Sequence, residues 1–185
     1  MGDHNVSVID NVLGQTVFDK LKSQLLKLPV WAYGETLNNK KEEPDYGGQM
    51  ECMIYLNMYD GGKIHCLDEN YEFISKIIQA LDIKRLIRIK ANLLLRTESN
   101  ISTGWHTDIE QNNLDILDFA GLDTSKIKTA VIFMNTCDGY VDVGDDKYLS
   151  VENRCVSFPV LTKHTGATAT DSDYRMVINV VYEEV

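Results

Sequence analysis

In the run Gly104-Trp105-His106-Thr107-Asp108 an imidazole and a carboxylate stand two residues apart. On an extended strand, side chains two apart share a face, so His106 and Asp108 point together while Trp105 and Thr107 take the other side. That is two-thirds of a metal site. His164, in Leu161-Thr162-Lys163-His164-Thr165-Gly166, ends a β-rich run and offers the third ligand. Two imidazoles and one carboxylate on a β scaffold match the ligand set of non-haem iron, which leaves open positions on the metal. Those open positions suit a co-substrate that chelates through a keto acid, with one left for O₂. His4 and His65 have no partner at ligand spacing and read as non-functional.

Eleven residues after His164, Arg175 opens the last β-rich run, Tyr174 to Tyr182. A planar guanidinium grips a carboxylate through two parallel hydrogen bonds, which Lys cannot do. Arg175 therefore fits the far carboxylate of 2-oxoglutarate. Strand alternation puts Val177 and Asn179 on its face, so Asn179 is expected to reach the same cavity. The intervening Gly166 to Asp173 is long enough to carry the chain between two sheets, and a ligand would then lie between them.

The elements that must position these groups are legible from pattern. Val6 to Ile9 reads as an opening strand. Thr16 to Leu28 follows a helical period through Val17, Leu21, Leu25 and Leu28, with Pro29 as its stop. Glu51 to Tyr59 reads as a strand, and Tyr71 to Leu81 as a second helix with Phe73, Ile74, Ile77, Ile78 and Leu81 on one face. Arg85 to Thr97 alternates, which predicts Arg85, Ile87, Ile89, Ala91, Leu93 and Leu95 on one side and Arg88, Lys90, Asn92, Leu94 and Arg96 on the other. Further β-rich runs cover Lys128 to Asn135, Tyr148 to Val151, Arg154 to Val160 and Tyr174 to Tyr182, separated by turn residues such as Asp138-Gly139 and Gly144-Asp145-Asp146. The expectation is a mainly β (α+β) fold, a sandwich or jelly roll braced by two or more N-terminal helices. It forms one domain, 1–185, with 1–84 as support and 85–185 as core. Thr36 to Gly48 and Ile109 to Lys126 are candidate lids over substrate, the latter equally a packed connection. Trp105 is expected to pack on the outer helices, and Asn135 either to line the cavity or to form a turn.

Composition narrows the class. The chain has 185 residues, 44% hydrophobic and 25% charged, enough for one ordinary globular core. A net charge of −10 argues against broad binding to nucleic-acid phosphates, whose affinity comes from Lys and Arg. The strip Lys84, Arg85, Arg88 and Lys90 reads as the solvated side of an amphipathic segment. No apolar run approaches the ~20 residues of a membrane span, and Met1 to Asp10 does not read as a signal peptide. Position 6 is Val where a myristoylation motif wants Ser or Thr. Cys52, Cys66, Cys137 and Cys155 form no CxxC pair and read as reduced, mostly buried thiols in a cytoplasmic protein.

The HxD pair, a distal His and an Arg about ten residues on, inside a C-terminal β core, resemble the Fe(II)/2-oxoglutarate-dependent oxygenase superfamily. In texture the chain is most similar to small prolyl-hydroxylase-like members, including those of marine cyanobacterial phages. The runs Lys128 to Asn135, Asp138-Gly139-Tyr140 and Asn153 to Phe158 carry the similarity between the metal motifs, which spans roughly Leu86 to Tyr182. The resemblance implies a double-stranded β-helix, iron bound by His106, Asp108 and His164, and 2-oxoglutarate held by Arg175. Such enzymes often add a strand Tyr or Asn near the co-substrate; the comparable strand here offers Asn92 and Leu94. The implied activity, with Fe(II), 2-oxoglutarate and O₂, is hydroxylation of a peptidyl proline or a small amino-acid-like substrate. Related halogenases have a small residue where Asp108 stands, so hydroxylation is favoured. The alternative is a non-catalytic jelly-roll domain for metal binding or interaction. A cupin isomerase would offer HxH with Glu and a further His, and a histone-demethylase type a Lys anchor, and neither pattern is present. Oligomeric state is not legible.

Overall fold

A computed structural model describes residues 5–27, 31–34, 49–56, 71–109 and 121–185. Among the described residues ten strands and two α-helices follow in the order β1 (Ser7–Ile9), α1 (Gln15–Leu25), β2 (Ala32–Gly34), β3 (Gln49–Leu56), α2 (Tyr71–Ala80), β4 (Ile83–Leu95), β5 (Ile127–Phe133), β6 (Tyr140–Val143), β7 (Asp146–Leu149), β8 (Cys155–Pro159), β9 (His164–Gly166) and β10 (Tyr174–Glu184). The larger sheet runs β1-β8-β5-β10-β4-β3-β2 and the smaller β7-β6-β9. Among the described residues no helix is long and apolar enough to cross a membrane.

The molecule is layered because the larger sheet is apolar on both faces. On one face Phe18, Leu21 and Leu25 of α1 and Phe73, Ile74 and Ile77 of α2 pack on Ile89, Ala91, Ile132, Ile178 and Val180. On the other, Val131, Phe133, Val156, Phe158 and Val177 meet Val141 and Val143 of the smaller sheet. The central strand β10 alternates between these layers: Met176, Ile178, Val180 and Tyr182 face the helices, Val177 and Val181 the other side. Its polar exceptions, Arg175, Asn179 and Glu183, fall four apart on the second face.

The strand β4 departs from its expected alternation. The pairing with β10 skips Ile87, between Val181↔Arg88 and Tyr182↔Leu86, and skips Lys84 before Glu184↔Ile83. Each skip is a bulge that inserts one residue and inverts the facing of what precedes it. Leu86 and Ile83 therefore join the helix-side core, while Ile87 packs with Val181 on the opposite face. Arg85 and Ile87 were expected beside Ile89, and they lie across from it.

Other differences are local. The helix α1 stops at Leu25 with Leu26 as its cap, and Pro29 lies outside the described residues. The short strands β2, β6 and β9 have no clear sequence pattern. Trp105 is 45% exposed instead of packing on the helices. Asn135 forms a turn link: its Nδ2 donates to the carbonyl of Tyr174 at 2.8 Å, and its Oδ1 accepts from the N–H of Met176 at 2.9 Å. His4, His65, Cys66, Thr36–Gly48 and 110–120 of the Ile109–Lys126 lid candidate lie outside the described residues. Cys52, Cys137 and Cys155 are buried free thiols. Nor is the basic strip merely solvated: Lys84 and Arg85 pair with Glu183, Lys90 with Glu51, and Arg88 with Asp108.

Glu183 is fully shielded from solvent and also accepts from the N–H of Asp123 at 3.3 Å. Hydrogen bonding from Arg85, joined by Lys84, outweighs burial and lowers its pKa from 4.5 to about 2. The unfolded chain then binds the extra proton between these values, so stability rises with pH across that window. Glu183 should contribute fully above about pH 5 and lose its contribution as pH falls towards 2. Urea midpoints measured from pH 6 to pH 2.5 should fall less steeply for Glu183→Gln than for the parent chain.

Candidate functional site

His106 and His164 are direct cross-strand partners. The N–H of each donates to the other's carbonyl at 3.0 Å, an isolated antiparallel bridge that sets the 102–108 segment beside β9. Gly104, at φ 88°, takes a turn there that a side chain would disfavour. The bridge leaves both rings on one face with centroids 4.4 Å apart, and Phe158 lies 4.8 Å from the ring of His164. His106 Nδ1 donates to the carbonyl of Gly104 and His164 Nδ1 to that of Thr162, each at 3.0 Å. An Nδ1–H bonded to a carbonyl leaves Nε2 with its lone pair free for a metal. His164 is 3% exposed, and burial holds its pKa below the usual imidazole range despite the nearby Asp108 carboxylate. Neutral imidazole is the ligand form.

Asp108 completes the set. One ligand atom from each of His106, Asp108 and His164 lies within 4.8 Å of the others, and Asp108 Oδ2 is 3.6 Å from His164 Nε2. The carboxylate is held by groups from three strands. Thr129 Oγ1 of β5 donates to Oδ2 at 2.7 Å, Asn179 Nδ2 of β10 to Oδ2 at 3.1 Å, and Arg88 of β4 pairs with Oδ1. Arg88 Nη2 also donates to Asn179 Oδ1 at 2.9 Å, which fixes that amide's orientation. Burial opposes ionisation of Asp108, but the Arg88 charge and the hydrogen bonds from Asn179 and Thr129 hold it well below the usual carboxylate range.

A cavity of about 440 Å³, counting its open mouth, runs from this cluster to Arg175. Asn92, Leu94, His106, His164, Val177 and Asn179 are among its walls. Arg175 is 4% exposed. Its Nε donates to Ser150 Oγ at 3.0 Å, its guanidinium lies 5.5 Å over the ring of Phe133, and among the described residues neither Nη has a hydrogen-bond partner. Burial lowers its pKa to about 10, so it stays charged at neutral pH. Two glycines make its channel. A Cβ on Gly139 would come within 2.6 Å of Arg175 Cδ, and one on Gly166 within 3.2 Å of Nη1.

Of the residues singled out in the sequence, His106, His164 and Arg175 thus line one cavity, with Asp108 clustered against the two imidazoles. Asn92 lines it, with a buried Oδ1 that has no partner. Asn179 lines it too, but its amide is committed to Asp108 and Arg88 instead of reaching towards a co-substrate. Sequence reasoning missed Arg88, Thr129, Ser150 and Gly139. Thr129 alone carried a signal, as the one hydroxyl within an otherwise apolar strand centre.

No protein-family model matches this chain, and no curated protein matches it either. Solved structures do. A 2-oxoglutarate/Fe(II) oxygenase-family oxidoreductase from Burkholderia pseudomallei superposes with a TM-score of 0.66 at 10% identity, over 98% of this chain and 86% of that one. The double-stranded β-helix of the Fe(II)/2-oxoglutarate oxygenases is this chain's fold. A prolyl hydroxylase from Trichoplax adhaerens, solved with a hypoxia-inducible-factor peptide, gives 0.59 at 12% identity, covering 98% and 84%. The non-haem α-ketoglutarate-dependent epimerase SnoN of nogalamycin biosynthesis gives 0.61 at 14%, covering 97% and 77%.

Groups that orient a metal's ligands commonly contribute ten- to hundredfold in affinity. Thr129→Val preserves shape and removes one donor to Asp108. Its affinity for Co(II), followed by visible absorption, should drop about tenfold or more, with little change in melting temperature.

Proposed function

We propose that this chain is an Fe(II)- and 2-oxoglutarate-dependent dioxygenase that hydroxylates a peptidyl proline or a small amino-acid-like substrate. One observation carries the reading: His106, Asp108 and His164 cluster beside a cavity that the two imidazoles line together with the buried guanidinium of Arg175. The donor set suits a divalent first-row metal, and the unengaged Nη groups of Arg175 suit a carboxylate at the far end of a small diacid. Iron, when bound, supplies the activation of O₂. In balance, substrate C–H, O₂ and 2-oxoglutarate become C–OH, succinate and CO₂.

The chain's own residues position and exclude. His106 and His164 present Nε2 because the carbonyls of Gly104 and Thr162 hold their Nδ1 protons. Asp108 stays a carboxylate under Arg88, Asn179 and Thr129. Arg175 is aimed by Ser150 and confined by Gly139 and Gly166, and Asn92 is the residue placed to provide a second polar contact to the keto acid. Leu94, Val131 and Val177 give the cavity apolar walls that limit water. The peptide held by the Trichoplax enzyme supports a prolyl substrate. Buried, unpaired cysteines fit a reducing, cytoplasmic setting.

Anaerobic Fe(II) with 2-oxoglutarate should give a weak visible charge-transfer band that His164→Ala abolishes. If intact protein gives no band, the non-catalytic binding domain is the better account. Gly139→Ala should displace Arg175 and raise the KM for 2-oxoglutarate about tenfold or more in a succinate-release assay, with iron binding retained.

A further inference from the structure

The site face of β3 and β4 carries more charge than a metal and one diacid require. On β4, Ile89, Ala91 and Leu93 pack under the helices, which leaves Arg88, Lys90, Asn92 and Leu94 on the cavity side. On β3, Cys52 and Ile54 join the helix-side core, which leaves Gln49, Glu51 and Met53 on the opposite face, where Gln49 lines the cavity. Register places Lys90 between Met53 on one neighbour and Asn179 on the other, and Glu51 opposite Asn92. Facing partners in a sheet are about 5 Å apart at Cα, and Asn179 is bonded to the metal-ligand Asp108. The ion pair thus lies one side chain from the metal cluster.

Lys90 is only 6% exposed and donates from Nζ to Glu51 Oε1 at 2.9 Å, an oxygen that also accepts from Gln49 Nε2 at 2.7 Å. Burial would raise the pKa of Glu51, but Lys90, Gln49 and Arg88 reverse this and keep it ionised. Replacing such a pair by apolar side chains is often neutral or stabilising, so fold stability is a weak reason for it. The face is also incomplete. Among the described residues three buried side-chain polar atoms have no partner, and two of them, Arg88 Nε and Asn92 Oδ1, are here. One is a donor without an acceptor. A ligand of matching polarity would complete it.

We propose that Glu51, Lys90 and Arg88 form the substrate subsite, and that it takes a free zwitterionic amino acid, its ammonium at Glu51 and its carboxylate at Lys90 and the unengaged Nε of Arg88. A residue within a peptide has neither charge, so the subsite selects free amino acids over peptidyl proline. This rests on the oxygenase reading and narrows it.

The test measures succinate release with free L-proline and the other standard L-amino acids. The free amino acid that drives turnover is then compared with its N-acetyl, carboxamide and peptide-embedded forms. Each blocked form should raise KM about tenfold or more, as when a charged group loses its partner. Glu51→Gln should bring the free to N-acetyl ratio close to one, and Lys90→Met should do the same for the free to carboxamide ratio. Under anaerobic conditions the same amino acid should perturb the charge-transfer band of the parent chain. Should a single variant fail to fold, Glu51→Gln with Lys90→Met leaves no unpaired charge and should flatten both ratios. A prolyl peptide that outperforms every free amino acid overturns the proposal, as do ratios that survive the substitutions. A normal band with no response to any free amino acid overturns it while leaving the oxygenase reading intact. Absence of the band overturns both.

Discussion

Two backbone hydrogen bonds, from His106 to His164 and back, are the constraint on which the site depends. They join segments 58 residues apart in sequence and make two imidazoles facing members of one antiparallel pair. In such a pair the side chains leave the sheet on the same face with little freedom. A metal would not need to gather these ligands from mobile loops. The entropic cost of bringing them together is met when the sheet forms, through packing of Phe158 and its neighbours.

The third member of the cluster is controlled differently. Asp108 stands beyond the bridge, and its orientation comes from Arg88, Thr129 and Asn179, each on a different strand of the larger sheet. The smaller sheet thus supplies the imidazoles' alignment and the larger one the carboxylate's. A cation so close to a ligand carboxylate withdraws electron density, yet it also secures ionisation in a buried place. The bulge at Ile87 contributes: it lets β4 present Arg88 to the site while Leu86 stays in the helical core.

Much of this was legible in sequence. The HxD motif, the distal His and the Arg opening an apolar strand have short-range signatures. The HxD pair lies outside any strand, with His106 in an isolated bridge and Asp108 in a bend. Alternation, which survives in one dimension, therefore accounts for Arg175 and not for Asp108. Both helices and most long strands were read within a few residues for the same reason. What escaped reading depends on register. The bulges in β4 inverted the facing of Arg85 and Ile87, and a bulge is an insertion relative to a partner strand, visible only in the pairing. The basic strip was read as solvated because the acids that neutralise Arg85 and Arg88 lie 98 and 20 residues away. The three-residue strands β2 and β9 are too short for periodicity to register. Asn179 was placed on the correct face, but its hydrogen bonds to Asp108 and Arg88 follow from tertiary contacts.

The spacing of polar residues along β10 has a consequence for selectivity. Arg175 and Asn179 are four residues apart on a strand held on both sides, by β4 and β5, so their Cα atoms are separated by about 13 Å at 3.3–3.4 Å per residue. A paired central strand does not stretch. On the proposed reading the rigid backbone acts as a caliper, because it fixes the distance between the guanidinium and the amide that holds Asp108 in place. If a keto diacid chelates a metal at His106, Asp108 and His164, a shorter one would fall short of Arg175 and a longer one would have to buckle between them.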